Sequence, residues 1–224
     1  MNTLNIYDVL GPVMVGPSSS HTAGAVRIGL IARKLLGGQP VMAKIGLSGS
    51  FAATGRGHGT DRALAAGLLG MQPDDIRIPD SLHVAEEEGM EVSFYVIQLK
   101  DAHPNTALLH LENEQGRKLE VQASSLGGGS IMINKLDGIE VNFNGEKPTL
   151  IVHNLDQPGH VAEVTSMLSH KSVNIAAMQL YRNKRGGYAV MVLETDQPIP
   201  EESIAWLAHL EGVIKVTYLN TQED

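Results

Sequence analysis

The sequence contains no cysteine. Disulfides, thiolate zinc sites, a cysteine nucleophile and any self-sufficient Cys-ligated iron–sulfur cluster are thereby excluded. Basic residues are short as well, with 17 Lys and Arg against 25 Asp and Glu and a formal net charge of -8. No block of Lys or Arg could track a phosphate backbone, which argues against nucleic acid as a partner. No apolar run approaches membrane-spanning length, and the first residues, Met1 to Asp8, lack the basic start and continuous apolar core of a signal peptide. A cytoplasmic protein without a membrane segment is expected. His-Glu-x-x-His and paired metal-ligand spacings are also missing, so no metal site is expected in this chain.

What is present suits an ordinary globular protein: 224 residues, 42% apolar and 19% charged, enough for two small domains that each bury a core. A polar turn at Asn144-Gly-Glu-Lys-Pro148 divides them, placing one domain at 1-146 and the other at 148-224. After the turn, patterning predicts strands at 149–153, 174–181, 188–194 and 213–219, with helices near 159–170 and 201–210. That β-α-β-β-α-β order is the ferredoxin-like plan. Before the turn it predicts helices at 23–36 and near 60–70, and strands at 41–47, 91–99, 106–111 and 130–142, an α/β or α+β domain with a mixed sheet.

The most informative stretch is Gly11-Pro-Val-Met-Val-Gly-Pro-Ser-Ser-Ser-His-Thr22, where one His stands among hydroxyls at a helix start. Val26, Ile28, Ile31 and Leu35 carry helical spacing onward, so Ser18, Ser19, Ser20 and Thr22 are candidate N-cap residues. A helix N-terminus can bind a carboxylate through its unpaired N–H groups, and His21 would stand over that anion. The plain alternative is a solvated cap with a surface His.

Two further loops carry candidate chemistry. Gly46 to Thr60 reads as a glycine-rich turn between a strand and a helix, followed by Asp61 in the helix's first turn. It has neither the Gly-Lys-Ser/Thr of a P-loop nor a full dinucleotide fingerprint. Thr60 and Asp61 either cap that helix or face a ligand together with His58 and Gly59. In Ser124-Ser-Leu-Gly-Gly-Gly-Ser130, Gly128 and Gly129 permit either an N–H nest for a carboxylate or a hairpin turn. The acidic run Glu86-Glu-Glu88 is a solvated face.

The string Gly-Pro-Ser-Ser-Ser-His-Thr-Ala-Gly-Ala followed by Arg27-Ile-Gly29 resembles the signature of the iron–sulfur L-serine dehydratases, in their beta subunit or beta domain. The resemblance implies conversion of L-serine to pyruvate and ammonia together with an alpha subunit, which would carry a [4Fe-4S] cluster. It implies a Cα-proton base, His21 or else His58, with Ser18, Ser19, Ser20, Thr22, His58, Gly59, Thr60, Asp61, Gly128 and Gly129 around the substrate. The C-terminal third resembles an ACT domain, on Asp156-Gln-Pro-Gly159, Asn174-Ile175, Gly186-Gly187 and Gly212-Val213. ACT domains bind amino acids between paired copies, which marks Asp156, Gly159 and Asn174 as effector contacts and implies homodimerisation. Asp156 stands where the serine-binding version has Asn, so a purely structural or dimerising domain is the alternative. A noncatalytic amino-acid sensor is the rival function, with a pyridoxal phosphate enzyme and a bare assembly scaffold behind it.

Overall fold

A computed structural model of the chain describes residues 13–220. The first residues read above for a leader, and the Gly11-Pro12 start of the motif, lie outside that range. The chain divides into two compact units, 1–137 and 138–224.

The first unit opens with a π-helical turn, Ser19–Ala23, that runs directly into helix α1, Gly24–Leu36. Ile28, Ala32, Leu35 and Leu36 are fully buried along one stripe of α1, and Val26 is fully buried on another side of it. Gly37 ends the helix in the left-handed conformation (φ 90°), where its N–H and that of Gly38 close onto the Arg33 carbonyl. Strand β1, Met42–Ser48, leads into two short helices, α2 (Gly49–His58) and α3 (Thr60–Leu68), and then α4 (Ser81–Glu87). Strands β2 (Glu91–Val96), β3 (Asn105–Glu112), β4 (Lys118–Gly127) and β5 (Ser130–Leu136) complete the first unit, and β6 (Ile139–Phe143) falls in the second. The first unit's sheet has the order β2-β1-β3-β4-β5 and is mixed, since β1 pairs parallel with β2 and antiparallel with β3.

Three departures from expectation matter for the site. Residues 49–58 form helix α2 instead of a glycine-rich turn. Its glycines oppose a helix by about 1 kcal/mol each, but Phe51 is completely buried and anchors it. Gly49 is required at its start: φ is 56°, and a Cβ there would lie 2.5 Å from the Pro104 carbonyl oxygen. Residues 118–127 form strand β4, an intervening strand that the pattern left unassigned, which puts Ser124 and Ser125 in a ladder. The stretch 130–142 is two strands, β5 and β6.

The second unit carries β7 (Thr149–Leu155), α5 (His160–His170), β8 (Ile175–Arg182), β9 (Tyr188–Thr195), α6 (Glu201–Leu207) and β10 (Val213–Leu219). The four-stranded antiparallel sheet has the order β10-β7-β9-β8, the ferredoxin-like arrangement expected from the element order. Leu150 faces Leu193 and Val152 faces Met191 across β7 and β9, and all four pack with Val164 and Leu168 of α5.

Candidate active site

Ser18 is extended (φ -142°, ψ 124°), and its hydroxyl accepts the His21 main-chain N–H at 3.2 Å, so Ser18 caps the turn. Within the turn the Gly24 N–H reaches back to the Ser19 carbonyl, one residue further than an α-helix would. Such π turns concentrate at functional sites. Here the turn directs His21 at helix α2.

His21 is 8% exposed as a residue, and its ring has a partner at each nitrogen. Nδ1 lies 3.3 Å from Ser18 Oγ. Nε2 lies 3.0 Å from Thr54 Oγ1 and 3.2 Å from Ser50 Oγ, both on α2. Phe51 and His58 meet the ring edge-on, with centroids 5.3 and 5.0 Å away. Burial pushes the imidazole below its usual range; a Ser50 backbone hydrogen bond acts against this, and the neighbouring His58 adds to the lowering. At neutral pH the ring is therefore uncharged and able to accept a proton.

The tip of the β4–β5 hairpin closes over the turn from the sheet side. Gly128 and Gly129 both have positive φ (61° and 82°), the requirement of a two-residue type I′ hairpin. The segment is thus the hairpin alternative, and the Gly128 N–H that a nest would offer donates to Ser19 Oγ at 3.3 Å. Arg27 of α1 donates from Nη1 to the Gly129 carbonyl at 3.0 Å, tying helix and hairpin together. Ser20 lies under Gly127, where a Cβ would stand 3.5 Å from its Oγ.

The structure brings His21, Ser18, Ser19, Ser20, His58, Gly128 and Gly129 together. Thr22 and Thr60 instead point into the unit, 2% and 0% exposed. Thr22 packs beneath Gly16, where a Cβ would lie 2.3 Å from its Oγ1. Gly59 is the left-handed link between α2 and α3 (φ 70°), and Asp61 accepts the N–H of the adjacent Arg62. Ser50 and Thr54 were not singled out from the sequence, and Arg27 was quoted only as part of the signature string, without a role. Ser50 and Thr54 stand four apart on one helix face, a signal visible only once 49–58 is read as helix. Among the described residues, no group of three or more His, Cys, Asp and Glu could hold a metal ion, and no helix is long and apolar enough to cross a membrane.

The effector candidates separate within one copy of the second unit. Asp156 follows the end of β7, where its carboxylate accepts from the Gly186 N–H at 2.9 Å and from Arg182 at 3.2 Å. Gly159 begins α5 near that same end (φ 110°). Asn174 precedes β8 at the opposite end of the sheet, with its amide on Asp196 at 2.6 Å and its N–H on Gln197 at 2.7 Å. The seven residues of β7 span the distance between, roughly 20 Å. Within one copy, therefore, the three do not meet at one ligand.

Residues 5–88 match the family model described as serine dehydratase beta chain. The chain is 41% identical to a probable L-serine dehydratase beta chain of Bacillus subtilis over 217 residues, 97% of this chain and 98% of that one. It is 38% identical to the L-serine dehydratase beta chain of Peptoniphilus asaccharolyticus over 220 residues, 98% and 99% of the two chains. A D-3-phosphoglycerate dehydrogenase of Archaeoglobus fulgidus is 29% identical over 198 residues, 87% of this chain and 37% of that protein.

Proposed function

Because this chain belongs to the serine dehydratase beta-chain family, we propose that it is the part of a cytoplasmic L-serine dehydratase that supplies the base for Cα-proton removal. The observation that carries the proposal is His21, neutral and buried, with a hydroxyl on each side at the start of a helix. A base of this kind contributes about 10²–10⁴ in rate.

The proposed sequence of events balances as follows. His21 takes the Cα proton of L-serine, the C–H electron pair becomes the Cα=Cβ bond, and the β-hydroxyl departs. Hydroxide and the proton held by His21 leave together as water. The enamine so formed tautomerises to an imine, which water hydrolyses to pyruvate and ammonia. Ser18, Ser19 and Ser20 at the helix start orient the substrate carboxylate. A cluster does not fit this chain, which has no cysteine and no metal-holding group among its described residues. The proposed [4Fe-4S] cluster therefore belongs to an alpha-subunit partner.

Anaerobic pyruvate formation from L-serine tests this, using the chain alone, its copurified partner, and the mixture. Activity in the mixture only, lost on His21→Ala with the complex still assembled, is the expected result. Near-normal kcat in an intact His21→Ala complex would overturn the assignment of the base. Serine binding to the chain without activity in any combination would move the function to a noncatalytic amino-acid sensor.

A further inference from the structure

Thr106, Ser124 and Asn134 stand side by side on β3, β4 and β5, and a count of their hydrogens gives the row a direction. Thr106 is opposite Ser124 in the ladder. Asn134 is the extra residue of a β-bulge, since Gln122 pairs with Lys135 and Ala123 with Ile133. Bulges re-aim side chains next to functional sites, and this one brings the Asn134 amide to 2.6 Å from Ser124 Oγ. Ser124 Oγ lies 2.8 Å from Thr106 Oγ1, which lies 2.6 Å from the main-chain carbonyl of His103. Three contacts need three hydrogens, and the two hydroxyls supply two. The carbonyl can only accept, so Thr106 donates to it, and Ser124 donates to Thr106. The third hydrogen comes from the Asn134 amide. Its two ends have the same shape, and the count places Nδ2 nearest Ser124.

This chain ends where the helix holding His21 begins. The next carbonyl after His103, that of Pro104, accepts the Ser50 N–H at 2.7 Å and the Phe51 N–H at 3.4 Å in the first turn of α2. Ser48, which precedes the helix, makes no side-chain cap bond, so Pro104 takes that part. The Ser50 main chain in turn receives a hydrogen bond from the His21 ring. One carbonyl of the 103–104 turn is thus fastened to the sheet and the next to α2. We infer that Asn134 is a positioning residue: donating into the chain, it fixes the 103–104 turn and, through Pro104, the placement of Ser50 against His21. The inference rests on the proposal that His21 is the base, and it adds what holds the base's partner helix in place. Helix α2 needs such a tie, because three of its ten residues are glycine and Phe51 is its one large, fully buried side chain.

NMR of the full chain tests the direction. The buried Ser124 hydroxyl proton should show Overhauser contacts to the Asn134 Nδ2 protons, and one of those protons should exchange slowly. Asn134→Asp puts an acceptor of the same shape in place of the donor. It should speed hydrogen exchange at the Ser50 N–H about fivefold to tenfold, the worth of one hydrogen bond, and by more than at Ile45 in β1. Thr106→Val should do the same, and Thr106→Ser should not. In the assembled enzyme, Asn134→Asp and Thr106→Val should lower kcat about three- to thirtyfold with KM little changed, and Thr106→Ser should retain it. Unchanged or slower exchange at Ser50 in Asn134→Asp would make Asn134 an acceptor and overturn the inference. Equal acceleration at Ser50 and Ile45, or faster Ser50 exchange with an unchanged kcat, would overturn the positioning role. Full activity in His21→Ala would instead overturn the base assignment alone, since the exchange and Overhauser readings do not depend on it.

Discussion

Helices α1 and α3 touch through their backbones, and replacing Gly67 with Ala tests whether that contact sets the site. A Cβ on Gly67 would lie 2.1 Å from the Val26 carbonyl oxygen, 2.8 Å from Leu30 N and 2.9 Å from Gly29 Cα. All of these are main-chain atoms, so no side chain can rotate away. An ordinary carbon–oxygen contact requires the helices to part by about 1 Å, breaking the packing of Val26, Leu64 and Leu68. Overpacking of this kind costs about 1–3 kcal/mol, and the intrinsic helix preference of Ala returns about 1 kcal/mol. Gly57→Ala in α2 is the matched control, because a Cβ there meets nothing within 4 Å. It should stabilise by about 0.5–1 kcal/mol.

Urea unfolding followed by circular dichroism should thus move the midpoint in opposite directions for the two Gly→Ala variants. Activity should follow the same division. A shift of α1 carries the His21 turn with it, and a displacement of about 1 Å at a catalytic group can cost 10²-fold. Equal stabilisation by both substitutions would refute the claim that α1 and α3 are in backbone contact.

Other expectations can be checked directly. Ser124 Oγ lies 2.6 Å from Asn134 Oδ1 and 2.8 Å from Thr106 Oγ1, so Ser124→Ala should cost about 1–3 kcal/mol, whereas the buried Ser125 hydroxyl has no partner among the described residues and Ser125→Ala should be neutral or stabilising by urea denaturation. The His21 pKa is lowered on folding, so the unfolded chain binds the extra proton: its contribution to stability is complete above about pH 6.5 and is lost as pH falls from there through the folded value. His21→Gln should flatten that limb of the urea midpoint against pH. The Gly186 N–H, followed by Arg182, holds the Asp156 carboxyl below its usual range, so its contribution is present above about pH 4 and is lost as pH falls through the folded value. NMR titration should place Asp156 below a free carboxylate, and Asp156→Asn should speed hydrogen exchange at Gly186.

Much of this was legible in the sequence because local signals and tertiary packing agreed. In the second unit, alternation on the strands and turn residues at Gly186-Gly187 and Gly212 marked all six elements in order. The motif at 18–22 announced a capped helix, and Ser18 does cap it. Helix α2 was illegible because three of its ten residues, Gly49, Gly55 and Gly57, are glycine, and the buried Phe51 that holds it gives no periodic signal in so short a segment. Missing α2 hid Ser50 and Thr54. Strand β4 carried a readable alternation, with Leu119, Val121 and Ala123 buried, but the glycines at its end drew attention to the turn.

The disposition of charge around the turn narrows how an anionic substrate would be held. Arg27 is the cation built into α1 beside the motif, and its Nη1 is directed to the Gly129 carbonyl. Its role is to hold the hairpin against the helix. The Ser18 hydroxyl accepts the His21 N–H and that of Ser19 the Gly128 N–H, so both serines shape the turn while each keeps its own hydrogen to donate. The proposed substrate carboxylate would meet main-chain N–H groups, the partial positive charge they carry and these hydroxyl hydrogens together. Replacing Arg27 should accordingly loosen the hairpin, and any loss of serine affinity should track that loosening without a step of its own. Hydrogen exchange at Gly128 measured alongside KM in Arg27→Met separates the two: a raised KM with an unchanged hairpin would make Arg27 a substrate contact and refute the structural assignment.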